Sequence, residues 1–135
     1  MTGGTRNWTG VIVAIALVAA ACSGSQDDDA GTGIPKQDPE LVATGEVAYQ
    51  AHCAECHGTD LRGTHQGPSH LSIVYEPNHH GDVAFVFAAQ TGVPQHHWPF
   101  GDMEPLPDAT EDDLSAIVAY VRENQRIHGF EPYPP

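Results

Sequence analysis

Three stretches of the chain place hydrophobic residues at helical spacing, and the stretch near the C-terminus is the most regular. Residues 110–125 read TEDDLSAIVAYVRENQ. Thr110, followed three residues later by Asp113, predicts a capping box at the start of this helix. The acidic first turn also suits the positive end of a helix dipole. Four apolar residues at spacings of three and four are expected to form one buried face: Leu114, Ile117, Val118 and Val121.

A second helix is predicted over residues 39–53, which read PELVATGEVAYQAHC. Pro39 suits the first position of a helix, because its missing N–H group would have no partner there in any case. The spacing of the apolar residues predicts which side chains this helix buries: Leu41, Val42, Val47 and Tyr49.

A third helix is predicted within residues 81–92, GDVAFVFAAQTG, with Asp82 as its cap and Gly92 at its end. The residues at helical spacing in this stretch are Val83, Val86, Phe87 and Gln90. No stretch alternates apolar and polar residues as a half-buried strand does. The pattern therefore predicts an all-α fold of three main helices, joined by long loops that contain proline and glycine.

The chain begins with the features of an export signal. Arg6 precedes a short apolar run, Val11–Ala21, that is well below the roughly 18 apolar residues a membrane-spanning helix needs. The sequence LVAAAC then resembles a bacterial lipoprotein signal, in which the cysteine, here Cys22, is lipidated and begins the mature chain. Ala19 departs from the usual leucine of that signal. An ordinary signal peptide that happens to contain a cysteine is the alternative.

These features divide the chain into a lipoprotein signal peptide at 1–21, a lipidated cysteine and flexible tether at 22–38, and a domain at 39–135. Removal of residues 1–21 leaves four basic residues against 18 acidic ones, a formal net charge of −14. A chain of that charge is repelled by nucleic acid and attracted to partners with a basic docking face. We therefore expect an exported protein, anchored by lipid to the outer face of the cytoplasmic membrane or facing the periplasm, that binds no nucleic acid.

Residues 53–57, CAECH, place two cysteines three positions apart and a histidine directly after them. A thioredoxin-like dithiol requires a preceding strand, but a helix is predicted there. A structural zinc site requires four ligands, and no further cysteine or finger-like histidine pair completes the set. A disulfide between Cys53 and Cys56 would close a very small loop and leave His57 unexplained. C-x-x-C-H is the attachment motif of c-type haem, and that interpretation uses both thiols and the histidine as an iron ligand.

Met103 is the candidate for the second axial ligand of that iron. The chain contains two methionines, and Met1 would be lost with the signal. Met103 lies in a proline-rich loop just before the last helix, which favours ligation over simple filling of the core. Met/His ligation raises the reduction potential and closes the iron to small ligands.

Residues 39–128 resemble the monohaem class I cytochrome c family. Gly45 and Tyr49 match the glycine and aromatic residue of its N-terminal helix, and Tyr120 matches the aromatic of its C-terminal helix that packs against them. The resemblance implies a fold wrapped around one covalently attached haem. It also implies that the carbonyl group of Pro68 accepts a hydrogen bond from His57. The family commonly has proline directly after the methionine ligand, whereas Glu104 follows it here.

Two histidine pairs remain to be explained, and two interpretations stay open. The pairs either line the haem crevice, where Trp98 and Phe100 would shield the haem edge, or hold a second metal, since imidazole suits copper and zinc. His96 and His97 are also the competitors of Met103 for the iron. The residues of the two pairs are His79, His80, His96 and His97.

The sequence predicts a membrane-tethered, single-haem electron carrier. It would act as a carrier, not as an enzyme, and would convert no small-molecule substrate. Its partners would be a membrane-bound donor and an oxidase or reductase. Two other functions remain open: a sensor or catalytic haem with a free sixth position, and a copper-handling module that uses the histidine pairs.

Overall fold

The computed structural model describes residues 1–3 and 29–132 of the chain. Within those ranges every regular element is helical, and strand-like backbone pairing is confined to two single bridges. The predicted all-α fold is therefore confirmed. The elements are α1 at Pro39–His52, α2 at Ala54–His57, a 3₁₀ turn at Ile73–Tyr75, α3 at Asp82–Thr91 and α4 at Glu111–His128.

Helix α4 agrees with its sequence pattern. The Thr110 hydroxyl accepts a hydrogen bond from the Asp113 backbone N–H, and the Asp113 side chain accepts one from the Thr110 backbone, so the predicted capping box is confirmed. Three residues of the predicted stripe are buried and Val118 is partly buried. Gly129, at φ 75°, ends the helix in a backbone conformation that suits glycine.

Helix α1 begins at the predicted residue and ends one residue before the predicted end, with Cys53 as its C-cap, but its predicted buried face was partly wrong. Leu41 and Val47 are exposed, the latter by 72%. The face that packs on α4 is centred on Gly45, with Ala48 and Tyr49 buried and Val42 partly buried. The apolar pattern misled because the centre of this face carries no side chain at all.

The crossing of α1 and α4 depends on Gly45. A Cβ atom added to Gly45 would lie 1.9 Å from the Ala116 carbonyl oxygen and 2.9 Å from Tyr120 Cβ. Beside that contact the rings of Tyr49 and Tyr120 pack with their centroids 5.3 Å apart. The glycine and the aromatic pair thus occupy the crossing that the resemblance implied.

Helix α3 has the predicted bounds, and Gly92 ends it as expected, but two details were wrong. Gly81, not Asp82, is the N-cap. Asp82 instead accepts a hydrogen bond from Arg122 of α4. The buried face differs as well, because Ala89 is buried and Phe85 and Val86 are partly buried against the core, whereas the expected Val83, Phe87 and Gln90 are exposed.

The part of the predicted tether that the structure describes, residues 29–38, contacts α4. The Ala30 N–H donates to the Arg126 carbonyl, the Gln37 N–H donates to the Glu123 carboxylate, and Ile34 is buried. Packed structure therefore begins ahead of residue 39. Cys22 and the apolar run lie outside the described residues, so the signal and lipidation remain predictions. Among the described helices, none has the length and hydrophobicity to cross a membrane.

Candidate functional site

The CAECH segment forms a single helical turn that puts its reactive groups together. Cys53 caps the end of α1, and α2 follows at once, with the His57 N–H donating to the Cys53 carbonyl over 2.9 Å. Residues three and four positions apart lie on one side of a helix. Cys56 and His57 stand in that relation to Cys53, so both thiols and the imidazole reach one space. Gly58, at φ 80°, ends the turn.

That space is a cavity of about 400 Å³ between α2, α3, α4 and the loop ahead of α4. Its volume lies in the range of small-molecule and cofactor sites. The lining is mainly apolar and includes side chains from both long helices. The residues predicted from the sequence all line it: Cys53, Cys56, His57, Pro68, Trp98, Phe100 and Met103.

His57 is held in one orientation by its backbone partner. Its Nδ1 atom lies 2.9 Å from the Pro68 carbonyl oxygen, and because a carbonyl only accepts, Nδ1 carries the hydrogen. The lone pair of the imidazole is therefore on Nε2. Gly67 allows this contact, because a Cβ there would lie 2.9 Å from the Cys56 carbonyl oxygen. Burial lowers the pKa of His57, which favours the neutral ring that binds metals.

The two thiols are unsuited to dithiol redox chemistry. Cys53 and Cys56 form no disulfide in this structure. Burial, with a smaller contribution from Cys56, raises the pKa of Cys53 to about 11. Reactive dithiols need the opposite shift, since the thiolate is the nucleophile. The geometry favours thiols that are presented to a cofactor in the cavity.

Met103 is positioned by a short backbone pairing with the end of α3. Its N–H and carbonyl both bond to Val93, at 2.9 Å each, which closes the loop of residues 94–102. Gly92 makes room for this pairing: it has φ 75°, and a Cβ there would lie 2.6 Å from the Met103 carbonyl oxygen. The closed loop also carries Trp98 and Phe100 along the cavity wall. Trp98 stacks on Tyr75, with centroids 5.9 Å apart, while Phe100 is 37% exposed.

His70 is a residue of the site that sequence reasoning missed. Its ring stacks on His57, with centroids 4.0 Å apart and planes 17° apart. Burial, and then the neighbouring His57 and Arg122, lower the pKa of His70 well below its usual value, so it is neutral. Its Nδ1 atom is buried and has no hydrogen-bond partner among the described residues. Its place two residues after Pro68 was the available signal.

Arg122 is the second residue that was missed. It is buried, and its guanidinium donates to Asp82, to the Gln125 side chain and to the carbonyl oxygens of Tyr75 and His80. It thereby joins α4 to α3 and to the loop before it. A signal was present in the sequence, because Arg122 lies four residues after Val118 and so continues an apolar helix face with a charge.

The structure brings three of the four paired histidines together. The ligand atoms of His79, His80 and His97 lie within 4.8 Å of one another. His96 contacts His97 ring to ring, at 4.4 Å, but lies outside that group. His80 and His97 also line the cavity. Burial is the first cause that lowers the pKa of His80 and of His97, and the neighbouring histidines lower both further.

The cavity has the features that covalently attached haem requires. A large flat apolar group needs an apolar enclosure, two thiols within reach of its edge and a neutral imidazole for its metal. Cys53, Cys56 and His57 line one apolar cavity, and the imidazole is fixed through Pro68. Met103 lines the same cavity and offers a thioether. The donor set therefore suits an iron porphyrin, since thioether and imidazole are both established axial ligands.

Comparison with known proteins agrees with this chemistry. A sequence model of the family described as cytochrome c matches residues 42–125. The chain is also similar to the cytochrome bc1 complex cytochrome c subunit of Corynebacterium efficiens, at 31% identity over 91 residues. That similarity covers 66% of this chain and 28% of the relative's length. The chain therefore belongs to the cytochrome c family and holds haem c covalently, as the sequence predicted.

Proposed function

We propose that the protein is a membrane-tethered, single-haem cytochrome that carries one electron between redox proteins, with His57 and Met103 as the axial ligands of its iron. It acts as a carrier and not as an enzyme. The observation that supports this most directly is that both thiols, His57 and Met103 line one apolar cavity. Bound haem c supplies an iron centre that alternates between its ferric and ferrous states.

The thiols of Cys53 and Cys56 hold the group in place. Each thiol would form a thioether bond to one vinyl group of the haem, with sulfur on one vinyl carbon and the thiol hydrogen on the other. The single helical turn from Cys53 to His57 fixes the two links and the imidazole as one unit.

His57 supplies the first axial ligand through Nε2. The hydrogen bond from Nδ1 to the Pro68 carbonyl fixes the ring and increases its basicity. The stacked ring of His70 covers one face of the imidazole and limits its rotation. Both contacts restrain the imidazole in one orientation, which would keep the reorganisation energy small when the bound iron changes its oxidation state.

Met103 supplies the second axial ligand, and the competing assignment is His96 or His97, which line the same cavity. Absorption spectra of Met103→Ala, His96→Ala and His97→Ala test this in the matured protein. We expect the sulfur-to-iron charge-transfer band of the ferric protein to disappear in Met103→Ala alone. The ferrous form of that variant should then bind carbon monoxide readily, while the two histidine variants resist it.

Two outcomes contradict this assignment. A native ferric spectrum of bis-histidine type, without the sulfur-to-iron band, shows that imidazole occupies the sixth position. Rapid carbon monoxide binding by the native ferrous protein shows an open sixth position, and then the sensor or catalytic function applies.

Export and tethering are proposed from the N-terminal sequence. An apolar run followed by small residues and Cys22 supports a lipidated mature N-terminus. Acyl chains anchor a protein by about 0.8 kcal/mol per buried CH₂ group. Cys22→Ser should therefore release the holoprotein from the membrane fraction and abolish labelling by a radioactive fatty acid. Cys22→Ser protein that stays with the membrane would contradict the anchor.

The redox partners are proposed to be membrane-bound, on the donor side and on the oxidase or reductase side. The relative from Corynebacterium efficiens is named as a subunit of a cytochrome bc1 complex, which supports such a complex as the donor. The net charge of −14 expected after removal of residues 1–21 favours a basic docking face on the partner.

A further inference from the structure

We propose that His79, His80 and His97 form a second metal site, separate from the haem iron, that binds one divalent ion of the zinc and copper class. The three side chains come from two loops that meet at the mouth of the cavity. Their ligand atoms lie within 4.8 Å of one another, a spacing that one ion can bridge after small side-chain rotations.

The closest pair already has the spacing that a shared ion requires. The Nε2 atoms of His79 and His97 lie 3.4 Å apart. With metal–nitrogen distances of 2.0–2.1 Å, two imidazole nitrogens on a tetrahedral ion are about 3.3 Å apart. Protein N–H hydrogen bonds are usually shorter, about 2.7–3.2 Å between heavy atoms. The pair therefore fits joint ligation better than a direct hydrogen bond.

His80 is already held in the form that binds a metal. Its Nδ1 atom lies 2.8 Å from the Val74 carbonyl oxygen, which only accepts, so Nδ1 carries the hydrogen and Nε2 the lone pair. A backbone carbonyl behind a ligating histidine is the usual arrangement of metal sites, because it fixes both tautomer and ring orientation.

The backbone of both loops is restrained before any ion binds. The N–H groups of His79 and His80 both donate to the Glu76 carbonyl, at 3.0 and 2.8 Å. The His80 carbonyl accepts from buried Arg122 at 2.6 Å. On the other side, the pairing of Val93 with Met103 closes the loop that carries His97. An ion that binds here therefore has to order little of the backbone of these two loops.

The donor set selects the class of ion. Three imidazoles with no carboxylate suit zinc and copper, whereas calcium and magnesium prefer oxygen ligands. The three histidines leave the fourth position of a tetrahedral ion for water or an outside ligand, and His79 is exposed. His96 is not the fourth ligand, because its ring nitrogens lie outside the group.

Calorimetric titration of Zn²⁺ into chelator-treated, ferric holocytochrome tests the site. We expect one ion per protein and an unchanged haem spectrum, because the iron ligands are not involved. His79→Gln and His97→Gln should each weaken binding by at least about tenfold, the size that even loss of a supporting contact produces at metal sites. His96→Gln is the matched control from the same loop and should bind as the native protein does.

Several results would overturn the proposal. They are an affinity retained in the His79→Gln, His97→Gln double variant, an equal loss in His96→Gln, and no saturable binding by the native protein. His79 is exposed, so its substitution should leave the fold intact, and an unchanged circular dichroism spectrum and haem spectrum check this. The result is independent of iron ligation by Met103, because Zn²⁺ binding is measured without changing the haem.

Discussion

At the scale of single residues, Gly45 decides how closely the two long helices approach. The position of its missing Cβ is already taken by the backbone of Ala116, at 1.9 Å from the carbonyl oxygen and 2.5 Å from the carbonyl carbon. Backbone atoms cannot rotate away as a side chain can. Any side chain at Gly45 must therefore push α1 away from α4.

Gly45→Ala should lower the free energy of unfolding by about 1–3 kcal/mol or more, the usual cost of overpacking. Denaturant unfolding of the holoprotein, followed by circular dichroism, measures it. Gly81→Ala is the matched control, since its Cβ would meet only the Pro77 carbonyl oxygen at 3.5 Å. That control should lose at most about 1 kcal/mol, because alanine is a poorer N-cap than glycine. Equal losses in the two variants would contradict the close crossing.

Single residues with distinctive chemistry were the easiest to predict. The thiols and His57 are recognisable because their spacing encodes the chemistry within five positions. Pro68 and Tyr120 could be placed only through resemblance to a family. His70 was missed because its importance comes from stacking on a ring thirteen positions earlier, and its place two residues after Pro68 was the signal that could have found it.

At the scale of elements, Arg122 connects α4 to α3 and to the loop between α2 and α3. Its side chain is buried, yet Asp82, its carboxylate partner, has a side chain that is 69% exposed. An ion pair with one exposed partner contributes little to stability. The two backbone carbonyls that Arg122 satisfies, of Tyr75 and His80, are therefore the more important partners.

Arg122→Leu should lower the free energy of unfolding by about 2–4 kcal/mol, because two carbonyl groups lose their donor and a buried acceptor without a partner costs about 1–3 kcal/mol. Asp82→Asn should cost far less, because its amide oxygen still accepts. Urea unfolding of the two variants measures the difference. If Asp82→Asn were as damaging as Arg122→Leu, the ion pair and not the carbonyl contacts would be the main stabilising interaction.

The capping box of α4 makes the stability of that helix depend on pH. The hydrogen bonds from Thr110, by its side chain and its backbone, hold the pKa of Asp113 below its ordinary value of 3.8. A lowered folded-state pKa stabilises the fold above about pH 3.8, and this contribution is lost as the pH falls through the lowered pKa. Asp113→Asn should therefore be less stable than the native protein at pH 6.

The stability difference between Asp113→Asn and the native protein should begin to shrink below about pH 3.8 and disappear as the pH falls through the lowered pKa of Asp113, because the native carboxylate then becomes protonated. Denaturant unfolding of both proteins, at pH 6 and at a series of pH values below 3.8, measures this difference. A difference that stays constant while the Asp113 carboxyl group titrates would show that the carboxylate charge plays no part in the cap.

The positions of the helices in the sequence were predictable, but the face that each helix buries was not always predictable. Caps and terminators such as Thr110 and Gly92 are local signals that fix one end of α4 and one end of α3, whereas α4 continues to His128, three residues beyond its predicted stretch. The buried faces of α1 and α3 depend on where the partner helix lies. Small residues, Gly45 and Ala89, occupy the contact there, so the most hydrophobic positions were a poor guide.

At the scale of the whole molecule, the surface of the described domain is strongly acidic. Four of the five basic residues lie in the described part of the chain, and two of them, Arg122 and Arg126, are buried. Each of the two pairs with an acid, Asp82 and Glu123 respectively. The exposed acids therefore have few cationic neighbours to offset them. Glu104 lies among these acids at the wall of the haem cavity.

This charge predicts how electron-transfer rates depend on salt. Between about 0.01 M and 0.15 M ionic strength the screening length falls from about 30 Å to about 8 Å. The rate of oxidation of the ferrous protein by a cationic cobalt complex should therefore fall as salt is added. With anionic hexacyanoferrate the rate should rise instead, since screening then removes a repulsion.

Glu104→Gln tests whether the charge near the cavity controls this dependence. The substitution keeps the side-chain shape and removes one negative charge from the cavity wall, so it should flatten both salt dependences. Asp29→Asn removes the same charge from a position that does not line the cavity, and should have the smaller effect because the interaction weakens with distance from the haem. Stopped-flow rates with both reagents measure the two salt dependences.

Equal effects of the two substitutions would mean that the net charge of the molecule steers the encounter. Rates that do not depend on salt would exclude steering by charge altogether.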